Sequence, residues 1–176
     1  MAVSISMSFP KDWTGVRRFF SSRAGFVRSL LTCLSNSIRS AEYHLDPEWL
    51  ERNGRAPIMG KAVEITTTQI YPFENRRMPY LLLHELAHAY RDKFLSFKNE
   101  TIKAAYEKAK ASGTYDEVER FNGNDIVKDE AYAMTTPQEY LAEFTEAYFG
   151  KNDFCPFNRN ELKEHDPGGY AVIEKA

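Results

Sequence analysis

Residues 79–94 leave the chain one reasonable way to fold. Leu82, Leu83, Leu86, Ala89 and Tyr90 recur at helical spacing, and a helix that turns this arc into a core satisfies all of them at once. His84, Glu85, His88 and Asp92 fall on the remaining, polar arc. His84-Glu85-Leu86-Ala87-His88 is an H-E-x-x-H sequence. Residues four apart share a helix face, so both imidazoles can reach one metal ion, with Glu85 beside them to take a proton from water. The pattern implies a zinc site of the hydrolytic kind, which needs three protein ligands and an open position.

The third ligand has to come from elsewhere. A histidine six residues past the motif would mark the metzincins, but Phe94 stands there, and Arg91 where that pattern has Gly. Glu107 has the distance of a thermolysin-like ligand. Ala111, however, replaces the Asp that would follow it, and Lys103, Lys108 and Lys110 surround it as on a solvated face. The other candidates lie on a second helix, which Thr136-Pro137 starts and Gly150 stops. Glu139, Glu143 and Glu146 share one face of it, opposite Leu141, Phe144 and Tyr148. By pattern alone this is a solvated acidic face, with Glu139 closing a capping box on Thr136.

His84-Glu85-Leu86-Ala87-His88, Tyr132 and Glu139-Tyr140-Leu141-Ala142-Glu143 together resemble the catalytic domain of anthrax lethal factor and its relatives, gluzincin-type zinc peptidases. The resemblance covers roughly residues 62–173; Leu141 stands where the family has an aromatic, and the gap from His88 to Glu139 is longer. It implies one Zn²⁺ held by His84, His88 and Glu139, with Glu85 as general base acting on metal-activated water. It further implies that Tyr132, seven residues before Glu139, stabilises the oxyanion, and that Glu143 supports a ligand histidine. Asp92 is a further candidate to support His88, since ligating histidines usually donate their second N–H to a carboxylate or carbonyl.

The expected fold is α+β and zincin-like: mostly helical, with a small sheet whose edge strand, about 62–70, lies beside the H-E-x-x-H helix and offers a pairing edge to an extended substrate. Residues 100–111 read as a helix, Asn122-Gly123 as a turn, and the tail as short helices around 159–164 and after Pro167, with Asp166 as a cap. Asp46-Pro47 starts a short helix, and Asn53-Gly54 and Pro57 mark a loop. Residues 16–39 mix apolar residues with arginines, as in a helix packed on the domain or a basic surface for a membrane or partner. A length of 176 residues suits one domain, with an N-terminal helical part about 13–55 and a catalytic part about 60–176.

Charges nearly cancel, at 23 basic against 25 acidic residues, which gives no reason to expect nucleic acid as a partner. No apolar run is long enough to cross a bilayer, and Arg17, Arg18, Arg23 and Arg28 break every stretch that would serve as a signal sequence. As read, the chain is cytoplasmic; a secreted chain trimmed of its signal would read the same. His44 and His165 read as core or surface side chains, Cys33 and Cys155 as buried thiols, and Asp125, Asp129 and Glu130 as solvated acids. The expected function is a zinc-dependent metallopeptidase acting on a peptide or protein substrate. The alternatives are a protein that keeps zinc for structure or partner binding, and a hydrolase of another amide. Glu85 and Tyr132 speak against a purely structural site, which needs neither and is usually closed by four ligands.

Overall fold

The computed structural model describes residues 41–66, 68–96 and 98–176, so the expected helix at 16–39 and Cys33 lie outside the described residues. The chain forms two compact units, Met1–Thr68 and Gln69–Ala176. The described part is mostly helical with two small antiparallel sheets, an α+β composition.

In the first unit, β1 (Glu42–Tyr43) pairs with β2 (Val63–Glu64). Helix α1 (Pro47–Arg52) starts where expected, with Asp46 accepting the Glu48 N–H at 2.8 Å and Pro47 in the first turn. His44 is a core side chain: buried, its Nε2 lies 2.7 Å from Glu64, whose carboxylate also accepts from Arg55 at 2.6 Å. The expected strand at 62–70 is corrected. Only Val63 and Glu64 pair, and Thr68–Ile70 turn into the next helix, which Pro72 favours at its first turn. A β-branched run supplies propensity, and without a longer partner strand it does not extend.

The second unit holds α2 (Tyr71–Arg77), α3 (Leu81–Tyr90), α4 (Glu100–Ser112), the hairpin β3 (Val118–Phe121) and β4 (Ile126–Asp129), α5 (Pro137–Phe149), α6 (Arg159–His165) and α7 (Pro167–Lys175). Its core gathers Ile102 and Tyr106 from α4, Tyr140, Leu141 and Phe144 from α5, and Leu162 and Ile173 from the tail. Gly169 sits where α7 meets α5: a Cβ there would come within 2.1 Å of the Phe144 ring, so no larger residue fits without displacement. Asp166 caps α7 by accepting from Gly169 N–H at 2.8 Å and also receives the Tyr140 hydroxyl at 2.8 Å.

Helix α3 departs from expectation in its ends and its burial. It begins at Leu81 and gives way to a π turn, Arg91–Leu95, before Phe94 is passed. Leu81, Leu82, Leu83 and Ala87 are buried, whereas Leu86, Ala89 and Tyr90 are only half-buried. His84 and Glu85 are buried too, so the polar arc is an inner surface. The reason lies in α5, which packs along α3 and turns its glutamates toward it. The hairpin was not anticipated beyond its Asn122-Gly123 turn, in which Asn122 Oδ1 accepts from both Asn124 and Asp125 and Gly123 adopts φ +104°.

Candidate metal centre

Three side chains from two helices meet at one point. His84 and His88, one turn apart on α3, set their rings 4.9 Å apart and nearly perpendicular, at 81°. Glu139, in the first turn of α5, brings Oε2 to 2.9 Å from His84 Nε2 and 3.3 Å from His88 Nε2. The local cause is the cap. Thr136 accepts the Glu139 backbone N–H at 3.2 Å, which fixes the first turn of α5; the Glu139 carboxylate leaves the capping box open and reaches the histidines instead. A carboxylate at a helix N-terminus is further favoured by the helix dipole.

One nitrogen of each histidine and one carboxylate oxygen lie within 4.8 Å of one another. A tetrahedral ion with bonds of ~2.0–2.1 Å spaces its ligand atoms about 3.3–3.4 Å apart. The His88–Glu139 separation already matches this, and the His84–Glu139 pair needs to open by a few tenths of an ångström. The donor set therefore fits a divalent ion. A second grouping, His84 with Glu143 and Glu146, is fully buried. The first grouping is the better metal site because His88 and Glu139 remain partly accessible.

Behind the centre the acidic face of α5 is buried. By pattern alone this face reads as solvated, and the resemblance gives the supporting role to Glu143; the structure buries the face and sets Glu146, rather than Glu143, against His84. Glu146 Oε1 lies 2.8 Å from His84 Nδ1, while the nearest Glu143 oxygen is at 3.7 Å, beyond hydrogen-bonding distance. Burial, and then the charges of Glu146 and Asp153, push the Glu143 carboxyl well above its ordinary range and favour its neutral form. Asp153 is held by Arg77 and lies 3.7 Å from Arg120. Glu146, Arg77 and Asp153 are the residues that sequence reasoning missed. Glu146 carried a signal, its place on the Glu139 face; Arg77 and Asp153 carried none.

The other expected residues are placed as follows. Glu85 is buried on α3 between the two histidines in sequence. Tyr132 opens a 3₁₀ turn, Tyr132–Met134, with its ring 6.4 Å from His84 and 39% exposed. Asp92 is half-buried in the π turn. Glu107 is exposed on α4, as its lysine neighbours implied. His165 packs edge-on against Tyr115, and Cys155 is a free, half-buried thiol. No described helix is long and apolar enough to cross a membrane.

The electrostatics have a measurable consequence. Burial alone would lower His84, but hydrogen bonds to Glu139 and Glu146 outweigh it and raise it well above 6.5. Burial alone would raise Glu139; its hydrogen bonds to His84 and His88 hold it well below the usual carboxylate range. The raised His84 favours the protonated ring in the metal-free site, and a cation must displace that proton to reach Nε2. Metal uptake is expected to release about one proton, and affinity to fall as pH falls. Titration calorimetry in buffers of different ionisation enthalpy reads this directly; binding without proton release would refute it.

No family model matches the chain, no curated protein matches it, and no solved structure matches its fold.

Proposed function

We propose that this protein is a zinc-dependent metallopeptidase of gluzincin type, similar in its catalytic residues to the anthrax lethal factor family. The observation that carries the reading is the convergence of His84, His88 and Glu139 on one point, with Glu85 on the same helix as the two histidines. A zinc ion bound there would supply Lewis acidity, polarising the carbonyl of an amide and acidifying water toward a pKa of ~7.

The protein side chains would do the rest. Glu146 accepts the Nδ1–H of His84, which fixes the tautomer and turns Nε2 toward the centre. Glu85 accepts a proton from the attacking water and returns it to the leaving amine nitrogen. The Tyr132 hydroxyl donates to the carbonyl oxygen as negative charge grows on it; its partial exposure beside His84 leaves it able to meet a substrate. In metal-free protein Glu139 and His84 hold each other as an ion pair, which keeps the ligands assembled.

Zinc content by mass spectrometry tests the site. Protein purified without added metal is expected to carry about one zinc, lost in Glu139→Gln and retained in Glu107→Gln. Loss in Glu107→Gln alone would overturn the ligand set, and absence of zinc uptake by the wild type would overturn the peptidase reading.

A further inference from the structure

The turn that carries Tyr132 is tied to the fold on both sides. Before it, the Ala131 N–H donates to the Tyr115 C=O at 3.0 Å. The Tyr132 C=O accepts the Thr135 N–H at 3.1 Å and the Thr135 hydroxyl at 2.8 Å. The last carbonyl of the turn belongs to Met134, a buried residue, and must find a donor. Three residues further on stands Pro137, which has no N–H, so the turn cannot close on that carbonyl with its own backbone.

Helix α4 supplies the donors instead. The Tyr106 hydroxyl donates to the Met134 C=O at 2.9 Å, and the Lys110 ammonium donates to the same oxygen at 3.0 Å. Lys110 also donates to the Tyr106 hydroxyl at 3.0 Å, which closes a triangle of hydrogen bonds. The two side chains are four residues apart and so share one face of the helix. Tyr106 is buried, its ring edge-on to Tyr140, whereas Lys110 reaches in from the exposed lysine side of α4. Hydrogen bonding to Tyr106 raises Lys110 above its ordinary 10.5, so near neutrality the donor is an ammonium. Bonds from a charged donor are roughly twice as strong as neutral ones.

Tyr132 depends on such an anchor. It is 39% exposed, with its ring 6.4 Å from that of His84, so the backbone beneath it does more than core packing to set its distance from the centre. Glu139, seven residues on, has a separate anchor in the Thr136 cap. We propose that Lys110 and Tyr106 are positioning residues: by holding the Met134 carbonyl they fix the Tyr132 hydroxyl where it can meet a substrate oxyanion beside the His84–His88–Glu139 centre. The inference rests on the peptidase reading above. Both residues act through the turn and not on the substrate.

Lys110→Met tests this, because it keeps the aliphatic stem and removes only the donor, at an exposed position that folding tolerates. Hydrogen exchange followed by NMR on the protein as purified is expected to show the Met134 and Thr135 amides exchanging faster by on the order of threefold to tenfold, with the Glu139 amide unchanged. The cleavage probe is a mixture of unstructured peptides, followed by its best-cleaved member. On that peptide kcat is expected to fall by on the order of tenfold, with KM and zinc content unchanged. Added to Tyr132→Phe, Lys110→Met is expected to cost nothing further, since the hydroxyl it positions is already gone. Tyr106→Phe, which keeps the ring in the core, is expected to repeat the pattern. Wild-type exchange and kcat in Lys110→Met overturn the proposal and leave the peptidase reading intact. So does a full loss from Lys110→Met on top of Tyr132→Phe. Absence of any zinc-dependent cleavage by the wild type overturns both.

Discussion

Replacing Glu85 by Gln is expected to leave one zinc ion bound and to lower peptide turnover by on the order of 10²–10⁴. The amide keeps the size and most of the polarity of the carboxylate, so the buried site on α3 should hold its shape. What it loses is the ability to take a proton from water and hand it to a leaving nitrogen. The effect should fall on kcat rather than on KM, because in the proposed mechanism Glu85 acts on the reacting atoms and not on the remainder of a peptide. Zinc content, thermal stability and cleavage measured on one preparation give the answer. A variant that keeps both zinc and wild-type turnover would remove Glu85 from the chemistry. A variant that loses zinc would make it a structural member of the centre instead.

The second large effect concerns the acids behind the centre. Arg77→Met is expected to destabilise the protein by about 3–5 kcal/mol, because it strands Asp153, a fully buried carboxylate, with only the more distant Arg120. For a chain of this size the melting temperature should fall by on the order of 10 °C. The sign with pH is defined. Burial raises Asp153 above its ordinary 3.8 even with Arg77 and Arg120 opposing it. In the window from 3.8 up to that raised value the folded chain keeps a proton that the unfolded chain has released, so stability falls as pH rises through it. Without Arg77 the window widens upward. The deficit of Arg77→Met should therefore be largest near neutrality and shrink toward pH 4. The double variant Arg77→Met/Asp153→Asn should recover much of the loss, since removing both members leaves neither charge stranded by the loss of the other. Additive losses in the double variant would show that the pair is not what holds this region.

These two predictions draw on parts of the protein that differ in how legible they were from sequence. Helices α3 and α5 announce themselves, one by apolar spacing, the other by Thr136-Pro137 at its start and Gly150 after its end. The shared face of His84 and His88 follows from helical geometry once α3 is accepted, whereas the place of Glu139 beside them is what the family resemblance implied, since by pattern alone it closes a capping box. The choice of Glu146 over Glu143 does not follow, because both lie on the face of Glu139 and only the rotation of α5 against α3 separates them. The burial of that acidic face was hidden for a related reason. Its compensating charges, His84, Arg77 and Arg120, arrive from three distant segments. The strand at 62–70 was overstated because β-branched residues look like a strand whether or not a partner is present. The hairpin was understated because Val-Glu-Arg-Phe and Ile-Val-Lys-Asp carry too much charge to alternate cleanly, and its pairing segment at 153–155 lies far along the chain.

The ring of His84 is gripped at both nitrogens by side chains of one helix, Glu139 at Nε2 and Glu146 at Nδ1, seven residues apart. It therefore works like a dowel driven through two boards. A slip of α5 along its axis by a single residue, about 1.5 Å, would pull both carboxylates off the ring together. Ligand geometry and helix alignment thus cannot be adjusted separately. An ion seated at one end of the ring would lock the sliding coordinate of the helix pair. The amides of α5 should then exchange with solvent more slowly in loaded protein along its whole length, down to the turn that carries Glu146, and not only at the turn that carries Glu139.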